Sequence, residues 1–232
     1  MECIVLAGGL GTRLRSAIGD MPKCMASVAG HPFLHYVFSY LERQGCTRVI
    51  LSLGYMHEHI LHWVAQQQVP FMVDHVLEHQ PLGTGGGIRL AMQQASEDNV
   101  VVLNGDTLFD VSLSSLLAFL KNANAETTLA LKRMEQFDRY GSVVVDSNGV
   151  ISSFQEKQYQ ESGLINGGVY IVNREGFITR PLPDRFSFEK DYLEAFVAEG
   201  LFCAQVHESY FIDIGVPSDY LQAQDDFKRM YR

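Results

Sequence analysis

Short apolar runs alternate with segments of helical periodicity through the first half of the sequence. Four runs have the length of buried strands and are bounded by glycine or polar residues: 2–7, 48–53, 70–77 and 99–104. Three segments between them have the spacing of amphipathic helices: 31–45, 56–67 and 87–96. Strands that alternate with helices of this length are typical of βαβ units, so the pattern predicts a parallel sheet.

The second half of the sequence has a different pattern. Residues 141–146 and 150–155 flank Ser147, Asn148 and Gly149, and an Asn-Gly pair between two such runs predicts a β-hairpin. Further strands are predicted at 165–173, 202–206 and 209–212, and further helices at 112–120, from Ser187 to about 199 and from Pro217 onward. We therefore expect an α/β fold: a single-domain, Rossmann-like, doubly wound mixed sheet with a small antiparallel β subregion. Residues 1–232 form this domain, with halves at about 1–110 and about 111–232.

Composition narrows the class of protein. The chain has 232 residues, 47% of them hydrophobic, which is enough for one sizeable core and makes disorder unexpected. Lys and Arg number 18 against 27 Asp and Glu, and the formal net charge of −9 argues against electrostatic binding of nucleic acid or an anionic membrane. Small anionic substrates stay compatible with that charge, because they need only a local cationic pocket.

The spacing of the cysteines and the length of the apolar runs indicate the cellular compartment in which the protein is expected. Four cysteines, Cys3, Cys24, Cys46 and Cys203, are scattered without a C-x-x-C spacing, so neither a zinc ribbon nor a disulfide framework is expected. No apolar run approaches the roughly 18 residues of a membrane span, and the N-terminal residues lack the basic segment of a secretion signal. We therefore expect a cytoplasmic protein with no membrane and no nucleic acid among its partners.

A glycine-rich loop follows the first predicted strand. It contains Leu6, Ala7, Gly8, Gly9, Gly11 and Thr12, and it is followed by Arg13 and then Lys23. Glycines let backbone N–H groups approach a phosphate closely, and two nearby cations suit a triphosphate. A P-loop is excluded because no Gly-Lys pair occurs, and a G-x-G-x-x-G fingerprint because Leu14 and Ser16 occupy the third-glycine positions. The glycines alone leave a plain tight turn open as the alternative.

This region resembles a known family, the sugar-1-phosphate nucleotidylyltransferases. The signature L-A-G-G-x-G-T-R-L followed by P-K stands at residues 6–14 and 22–23. Further matching motifs extend along nearly the whole chain: 82–86, 104–106, 140–141, 156–157, 166–170 and 211–215. The chain departs from the common pattern at Cys24, where many members have a second proline, and in 16–21, which lacks a threonine that many members carry. The resemblance implies the nucleotide-diphospho-sugar transferase fold, with a nucleotide-binding first half and a sugar-binding second half.

The resemblance also implies a reaction and roles for residues. A sugar 1-phosphate would react with an NTP to give an NDP-sugar and pyrophosphate. Arg13 and Lys23 are the implied catalytic residues, Arg13 with the Gly8–Thr12 backbone on the leaving β- and γ-phosphates and Lys23 at the α-phosphate. The implied nucleotide-binding residues are Leu6, Ala7, Gly8, Gly9, Gly11, Thr12, Glu78, Gly83, Thr84 and Asp106.

Two aspartates are the candidate metal ligands. Asp106 follows the predicted strand 99–104, and Asp213 follows the predicted strand 209–212. Two carboxylates at strand ends suit Mg²⁺, which prefers one or two carboxylates together with phosphate oxygens and water. Either aspartate alone is more often a turn residue or a helix N-cap. The resemblance assigns both to Mg²⁺, the expected cofactor.

Glu78 is the candidate residue for reading the nucleobase. In the resembled family, the position five before Gly83 contacts the base edge, and a glutamine often serves there for uracil or thymine. A carboxylate only accepts hydrogen bonds, and guanine offers N1–H and N2–H₂ side by side, whereas uracil flanks one donor with acceptors. We therefore expect GTP. The alternative is that backbone groups read the base while Glu78 faces solvent.

The candidate sugar site lies in the second half. Gly141, Glu156, Lys157 and Asn166 match family positions that contact the sugar hydroxyls and the sugar phosphate. From the residues alone, a solvated charge pair at a strand end explains Glu156 and Lys157 as well as a sugar-binding role does. The segment 186–191 either shapes the sugar pocket or is a helix start with Ser187 as N-cap.

Within the family, the chain is most similar to the D-glycero-α-D-manno-heptose 1-phosphate guanylyltransferases, on its length and the motifs at 82–88, 187–191 and 211–215. The alternatives are an N-acetylmuramate 1-phosphate uridylyltransferase and a mannose 1-phosphate guanylyltransferase. A non-catalytic, nucleotide-sensing protein of the same fold is the alternative from another class, and the joint presence of Arg13, Lys23 and the two aspartates argues against it.

The expected partners are therefore GTP and a sugar 1-phosphate, and a homodimer is expected only from the general frequency of dimers. The sequence leaves open the stereochemistry of the sugar. It also leaves open whether the product serves lipopolysaccharide, capsule or S-layer glycan.

Overall fold

Nine strands form one mixed sheet within residues 1–9, 14 and 18–231, the part of the chain that the computed structural model describes. These strands are β1 (Glu2–Leu6), β4 (Arg48–Leu53), β5 (Met72–Leu77), β6 (Asn99–Asn104), β8 (Thr127–Phe137), β9 (Ser142–Val145), β10 (Ile151–Gln155), β11 (Gln160–Asn173) and β12 (Phe202–His207). Two short antiparallel pairs lie outside the sheet: β2 (Ser27–Val28) with β3 (His31–Pro32), and β7 (Thr107–Phe109) with β13 (Phe211–Asp213).

The parallel part of the sheet is doubly wound. Strands β5, β4, β1 and β6 lie side by side in that order and are all parallel. The chain moves outward from β1 to β4 and β5 and then returns to the other side of β1 at β6. The carboxyl ends of β1 and β6 therefore flank a topological switch point, where open α/β sheets bind their ligands.

The second half of the chain continues the same sheet. Strand β11 is antiparallel to β6, β8 is antiparallel to β11, and β12 lies parallel to β8. Strands β9 and β10 form a hairpin that joins β11 beside Ile165. The turn of this hairpin contains Gly149 at φ +81°, in agreement with the Asn-Gly signal. The predicted mixed sheet with an antiparallel subregion is confirmed.

Helices cover both faces of the sheet. They are α1 (Phe33–Arg43), α2 (His57–Val64), α3 (Gly83–Met92), α4 (Leu113–Ala123), α5 (Arg174–Ile178) and α6 (Pro217–Met230), with a π-helix at Phe188–Glu194 and 3₁₀ turns at Lys23–Met25 and Val197–Glu199. Alternate residues of β1 point to opposite cores: Cys3 and Val5 pack with α1, α4 and α6, and Ile4 packs with α3 and the π-helix. In the part of the chain that is described, no helix is long and apolar enough to cross a membrane.

The structure corrects several predicted elements. Strand β8 lies in a segment for which no strand was predicted, because its second half, from Lys132 onward, carries mostly polar, partly exposed residues. Helix α3 begins at Gly83 rather than residue 87 and ends at Met92 rather than residue 96. The predicted strand 209–212 is β13, which pairs with β7 outside the main sheet.

A buried carboxylate fixes the start of β1. Glu2 Oε2 accepts the backbone N–H groups of Ser96 at 2.6 Å and Glu97 at 2.8 Å, and Oε1 accepts Arg48 Nη1 at 2.8 Å. Burial opposes ionisation of Glu2. The hydrogen bonds from Glu97, Arg48 and Ser96 outweigh burial, so the pKa of Glu2 falls from 4.5 to about 2. The carboxylate thereby ties β1 to β4 and to the segment before β6.

The depressed pKa of Glu2 predicts a specific loss of stability in acid. Because the folded pKa lies below the unfolded value, the stabilisation is complete above about pH 5 and is lost as the pH falls toward about 2; a shift of this size corresponds to about 3 kcal/mol. We expect the difference in unfolding free energy between wild type and Glu2→Gln to shrink over this range. Urea denaturation at several pH values measures it.

The matched control is Glu161→Gln, which changes an exposed carboxyl group on β11. Its unfolding free energy should follow that of the wild type across the same pH range. A constant difference between wild type and Glu2→Gln from pH 7 to pH 2 would contradict the prediction.

Candidate functional site

Two adjoining cavities open at the carboxyl ends of the parallel strands. The larger has a volume of about 650 Å³ and is reached by the ends of β1, β4 and β6. The smaller has a volume of about 430 Å³ and is bounded by β9, β11 and the π-helix. Asn104, Asp106 and Glu189 line both cavities. Both volumes are in the range of small-molecule sites.

The larger cavity collects the predicted nucleotide residues that the structure describes. They are Leu6, Ala7, Gly8, Gly9, Lys23, Glu78, Gly83, Thr84 and Asp106. The predicted residues Gly11, Thr12 and Arg13 lie outside the described residues. The assignment of a nucleotide to this cavity stays a prediction.

Lys23 and Asp106 form an ion pair where the cavities meet. Lys23 lies in the 3₁₀ turn after Pro22, and Asp106 lies in the turn between β6 and β7. Lys23 Nζ is 2.9 Å from Asp106 Oδ2, and the two side chains are 17% and 27% exposed. This partial burial weakens screening by solvent, so the pair holds a localised positive charge beside a localised negative one.

Cys24 lies next to this ion pair and lines the larger cavity. Burial, and next the negative charge of Asp106, raises the pKa of its thiol to about 12. A thiol with that pKa is neutral near pH 7 and is a poor nucleophile or metal ligand. Cys24 therefore contributes packing to the cavity wall.

The pairing of β7 with β13 brings the second aspartate to the first. Asp213 lies opposite Thr107 in this pair, and the Ile214 N–H donates to the Asp106 carbonyl at 3.0 Å. Asp213 Oδ1 accepts the Gly215 N–H at 2.7 Å. The two aspartates are therefore neighbours, although β13 is not a strand of the main sheet.

This donor set fits a hard cation that also binds phosphate. Within the described ranges, no group of three or more His, Cys, Asp or Glu side chains could form a closed metal cage. Two neighbouring carboxylates, Asp106 and Asp213, are what Mg²⁺ uses when phosphates and water complete its coordination. The residues present thus fit the expected cofactor.

Glu78 is half-buried against the wall of the larger cavity. Its Oε2 accepts the Leu82 N–H at 2.9 Å, and its Oε1 accepts the Ser52 hydroxyl at 3.4 Å. Each carboxylate oxygen can accept a second hydrogen bond, so the side chain is held in place and can still receive a ligand donor. A role in reading the base stays a prediction.

The glycine-rich start of α3 is packed against the segment before the π-helix. Gly83 has φ +75°, and a Cβ there would lie 2.5 Å from the Phe186 carbonyl oxygen. A Cβ on Gly85 would overlap the Phe186 ring, and the Gly85 N–H donates to the Phe186 carbonyl at 3.0 Å. These glycines therefore join the walls of the two cavities. The sequence motif did not reveal this second use.

The smaller cavity collects the predicted sugar residues Gly141, Glu156, Lys157 and Asn166. Asn166 lies at a bulge of β11, where the register against β8 shifts, and such bulges redirect side chains next to sites. Its Nδ2 donates to the Tyr170 hydroxyl at 2.8 Å. Glu156 is 83% exposed and lies 3.8 Å from the exposed Lys190, so this pair is at the rim of the cavity.

Three cavity residues, Tyr140, Arg139 and Tyr55, were not assigned a role from the sequence. Tyr140 donates to Asp213 Oδ2 at 3.4 Å, and burial together with the Asp213 charge raises the pKa of Tyr140, which keeps the phenol protonated. Arg139 pairs with Asp219 at 2.9 Å and lies over the Tyr140 ring. The third, Tyr55, donates to Asp20 at 2.9 Å. Tyr55 lies just after β4, as Asp106 lies after β6, and this position was the sequence signal that could have identified Tyr55 as a site residue. Glu189 lies in the segment 186–191, whose role the sequence left open, and it lines both cavities.

Comparison with known proteins gives consistent results. The family model described as nucleotidyl transferase matches residues 2–229. A D-glycero-α-D-manno-heptose 1-phosphate guanylyltransferase of Aneurinibacillus thermoaerophilus is 46% identical over 98% of this chain and 99% of that protein, and one of Campylobacter jejuni is 42% identical over 95% and 97%. The crystal structure of HddC from Yersinia pseudotuberculosis complexed with GMP-PN matches with a TM-score of 0.88 at 38% identity, over 97% of this chain and 99% of that chain. The predicted fold class is confirmed.

The packing of Gly83 generates a stability prediction. We expect Gly83→Ala to lower the free energy of unfolding by about 2–4 kcal/mol, because the left-handed backbone costs about 1–2 kcal/mol for alanine and the clash with Phe186 adds about 1–3 kcal/mol. Urea denaturation measures the change. The control is Gly9→Ala, whose added Cβ would meet no described atom within 4 Å. Equal stability of the two variants would argue against the packing role.

Proposed function

Because this chain belongs to the nucleotidyl transferase family, we propose that it transfers GMP from GTP to D-glycero-α-D-manno-heptose 1-phosphate, giving the GDP-heptose and pyrophosphate. The relatives that carry this activity in their names match over nearly the full length of both chains. The observation that carries the proposal is that Lys23 lines the larger cavity, Asp213 lines the smaller one, and Asp106 lines both. A reaction between two bound substrates needs charged groups at such a junction.

The reaction requires that the site position the two reacting phosphates and neutralise their negative charge. One sugar-phosphate oxygen, already anionic, forms a bond to the α-phosphorus of GTP, and the bond from that phosphorus to the bridging oxygen of the β-phosphate breaks. The pyrophosphate leaves with the electron pair, so no general base is required. Lys23 neutralises charge at the α-phosphate, and Arg13 with the Gly8–Thr12 backbone is proposed to hold the leaving phosphates.

We also propose that Asp106 and Asp213 hold Mg²⁺. When bound, this ion would neutralise phosphate charge during the transfer. The chain's own contribution is to orient the ligands: the Gly215 N–H and the Tyr140 hydroxyl hold Asp213, and Lys23 holds Asp106. The two carboxylates are thereby directed before any ligand arrives.

Glu78 is proposed to select guanine. Its carboxylate is fixed by the Leu82 N–H and the Ser52 hydroxyl, and it borders the larger cavity. A fixed acceptor pair matches the adjacent N1–H and N2–H₂ donors of guanine. The sugar roles of Gly141, Glu156, Lys157 and Asn166, the homodimer and the cytoplasmic location stay predictions.

The direct test is pyrophosphate release from GTP, ATP, UTP and CTP, each with three sugar 1-phosphates. We expect the highest kcat/KM for GTP with the heptose 1-phosphate. The other two sugars, mannose 1-phosphate and N-acetylmuramate 1-phosphate, represent the alternatives within the family. Preference for UTP with N-acetylmuramate 1-phosphate would overturn the proposal.

Lys23 and Asp106 are expected to be needed for turnover. We expect Lys23→Ala and Asp106→Asn each to lower kcat by about 10²–10³-fold, the usual effect of removing a charge-stabilising group. Circular dichroism should show an intact fold. The matched control Lys121→Ala removes an exposed lysine at the end of α4 and should leave kcat unchanged. Wild-type kcat in either site variant would refute the assignment.

Glu78→Gln tests the choice of base. The glutamine keeps one acceptor and turns the other into a donor, so we expect kcat/KM for GTP to fall by an amount that corresponds to roughly 1–3 kcal/mol. The ratio of kcat/KM for GTP to that for UTP should fall with it. Unchanged GTP kinetics would contradict the proposed role of Glu78 without contradicting the proposed transfer reaction.

A further inference from the structure

Glu189 occupies an unusual position between the two cavities. The other residues that line both, Asn104 and Asp106, come from the end of β6, whereas Glu189 comes from the first turn of the π-helix. It is half-buried, and its charge contributes, after burial, to raising the pKa of the Tyr170 phenol in the smaller cavity. Glu189 is therefore close enough to both substrate spaces to contact a ligand in either.

One oxygen of Glu189 is held by the protein. Oε2 accepts the Thr84 hydroxyl at 2.9 Å and the Ser187 hydroxyl at 3.0 Å. The Thr84 hydroxyl oxygen in turn accepts the Phe188 N–H at 2.9 Å, so Thr84 is fixed on both sides. These bonds set the position of the carboxylate and link the start of α3 to the π-helix.

The second oxygen is available to a ligand. Oε1 makes no hydrogen bond to any residue that the structure describes, and its residue borders both cavities. An ionised carboxylate oxygen only accepts, so its ligand must present a donor. The phosphates of the proposed substrates carry no donor when ionised. Because the guanine donors are already assigned to Glu78, the hydroxyl groups of the sugar and of the ribose are the donors left for a carboxylate at this junction.

We propose that Glu189 is a binding residue that accepts a substrate hydroxyl through Oε1 while Oε2 is anchored by Thr84 and Ser187. This inference rests on the proposed function, because it takes two hydroxyl-bearing substrates as the occupants of the cavities. The hydroxyl belongs either to the sugar 1-phosphate or to the ribose of the nucleotide. Glu189 thereby contributes to the specificity of the site as well as to its shape.

Glu189→Gln separates this role from packing. The amide oxygen can take the place of Oε2 and still accept from Thr84 and Ser187, while the amide nitrogen replaces the acceptor Oε1 with a donor. We expect KM for the substrate that Glu189 contacts to rise by about 10–100-fold, the loss expected for one hydrogen bond to a charged group, with an unchanged Tm. Isothermal titration of each substrate alone measures the same loss without turnover.

Two arms identify the source of the hydroxyl. If it belongs to the sugar, KM rises for the sugar 1-phosphate and stays constant for GTP. If it belongs to the ribose, KM rises for GTP, and 2′-deoxy-GTP or 3′-deoxy-GTP binds wild type and Glu189→Gln equally well. Either result supports the proposal. KM and Kd values for both substrates within about twofold of wild type would overturn it.

Ser187→Ala is the matched control for packing. It removes one anchor of Oε2 and the N-cap hydroxyl that accepts the Lys190 N–H, but it leaves Oε1 in place. We expect a lower Tm and a smaller change in KM than in Glu189→Gln, whereas a purely structural Glu189 would give the reverse order. All values are measured with whichever nucleotide and sugar the wild type prefers, so a wrong substrate assignment and a wrong role for Glu189 give different results.

Discussion

The pairing of β7 with β13 is the constraint on which the candidate site depends. These strands lie outside the main sheet and come from distant parts of the chain, yet their register places Asp213 opposite Thr107 and beside Asp106. The Ile214 N–H bond to the Asp106 carbonyl fixes the two backbones against each other. Neighbouring carboxylates repel, and the Lys23 ammonium, the Tyr140 hydroxyl and the Gly215 N–H offset that repulsion. The fold thus brings the two aspartates together through a strand pair that lies outside the main sheet.

Much of the parallel half follows from local pattern alone. The apolar runs at 48–53 and 99–104 predict strands with the bounds that β4 and β6 have in the structure, because buried parallel strands are apolar on both faces. The position of Asp106 at the carboxyl edge of the sheet was predictable for the same reason, since it follows the end of such a strand. Strand β8 was missed, because its polar second half is extended only through its pairing with β11, while β12 pairs with its buried first half.

What sequence reasoning missed or left open depends on tertiary contacts. The sequence left the segment 186–191 open between a pocket role and a helix start, and the bonds of Glu189 to Thr84 and Ser187 depend on contacts that no local pattern reveals. The start of α3 was placed too late because glycines are poor helix formers, and here the backbone of Phe186 requires them. The role of Arg13 rests on the sequence motif alone, because the residue lies outside the part of the chain that the structure describes.

The contact between the start of α3 and the segment from Asp184 to Phe188 has a consequence for how this enzyme can be redesigned. Gly83 and Gly85 leave no space for a Cβ between the two elements, so the wall of one cavity is packed directly against the wall of the other. A substitution that widens the smaller cavity by shifting the Phe186 backbone would also displace the start of α3, which borders the larger cavity. The shape of the smaller cavity is therefore better altered from its rim, at Glu156 or Lys190, where the side chains are exposed and the shared wall is untouched.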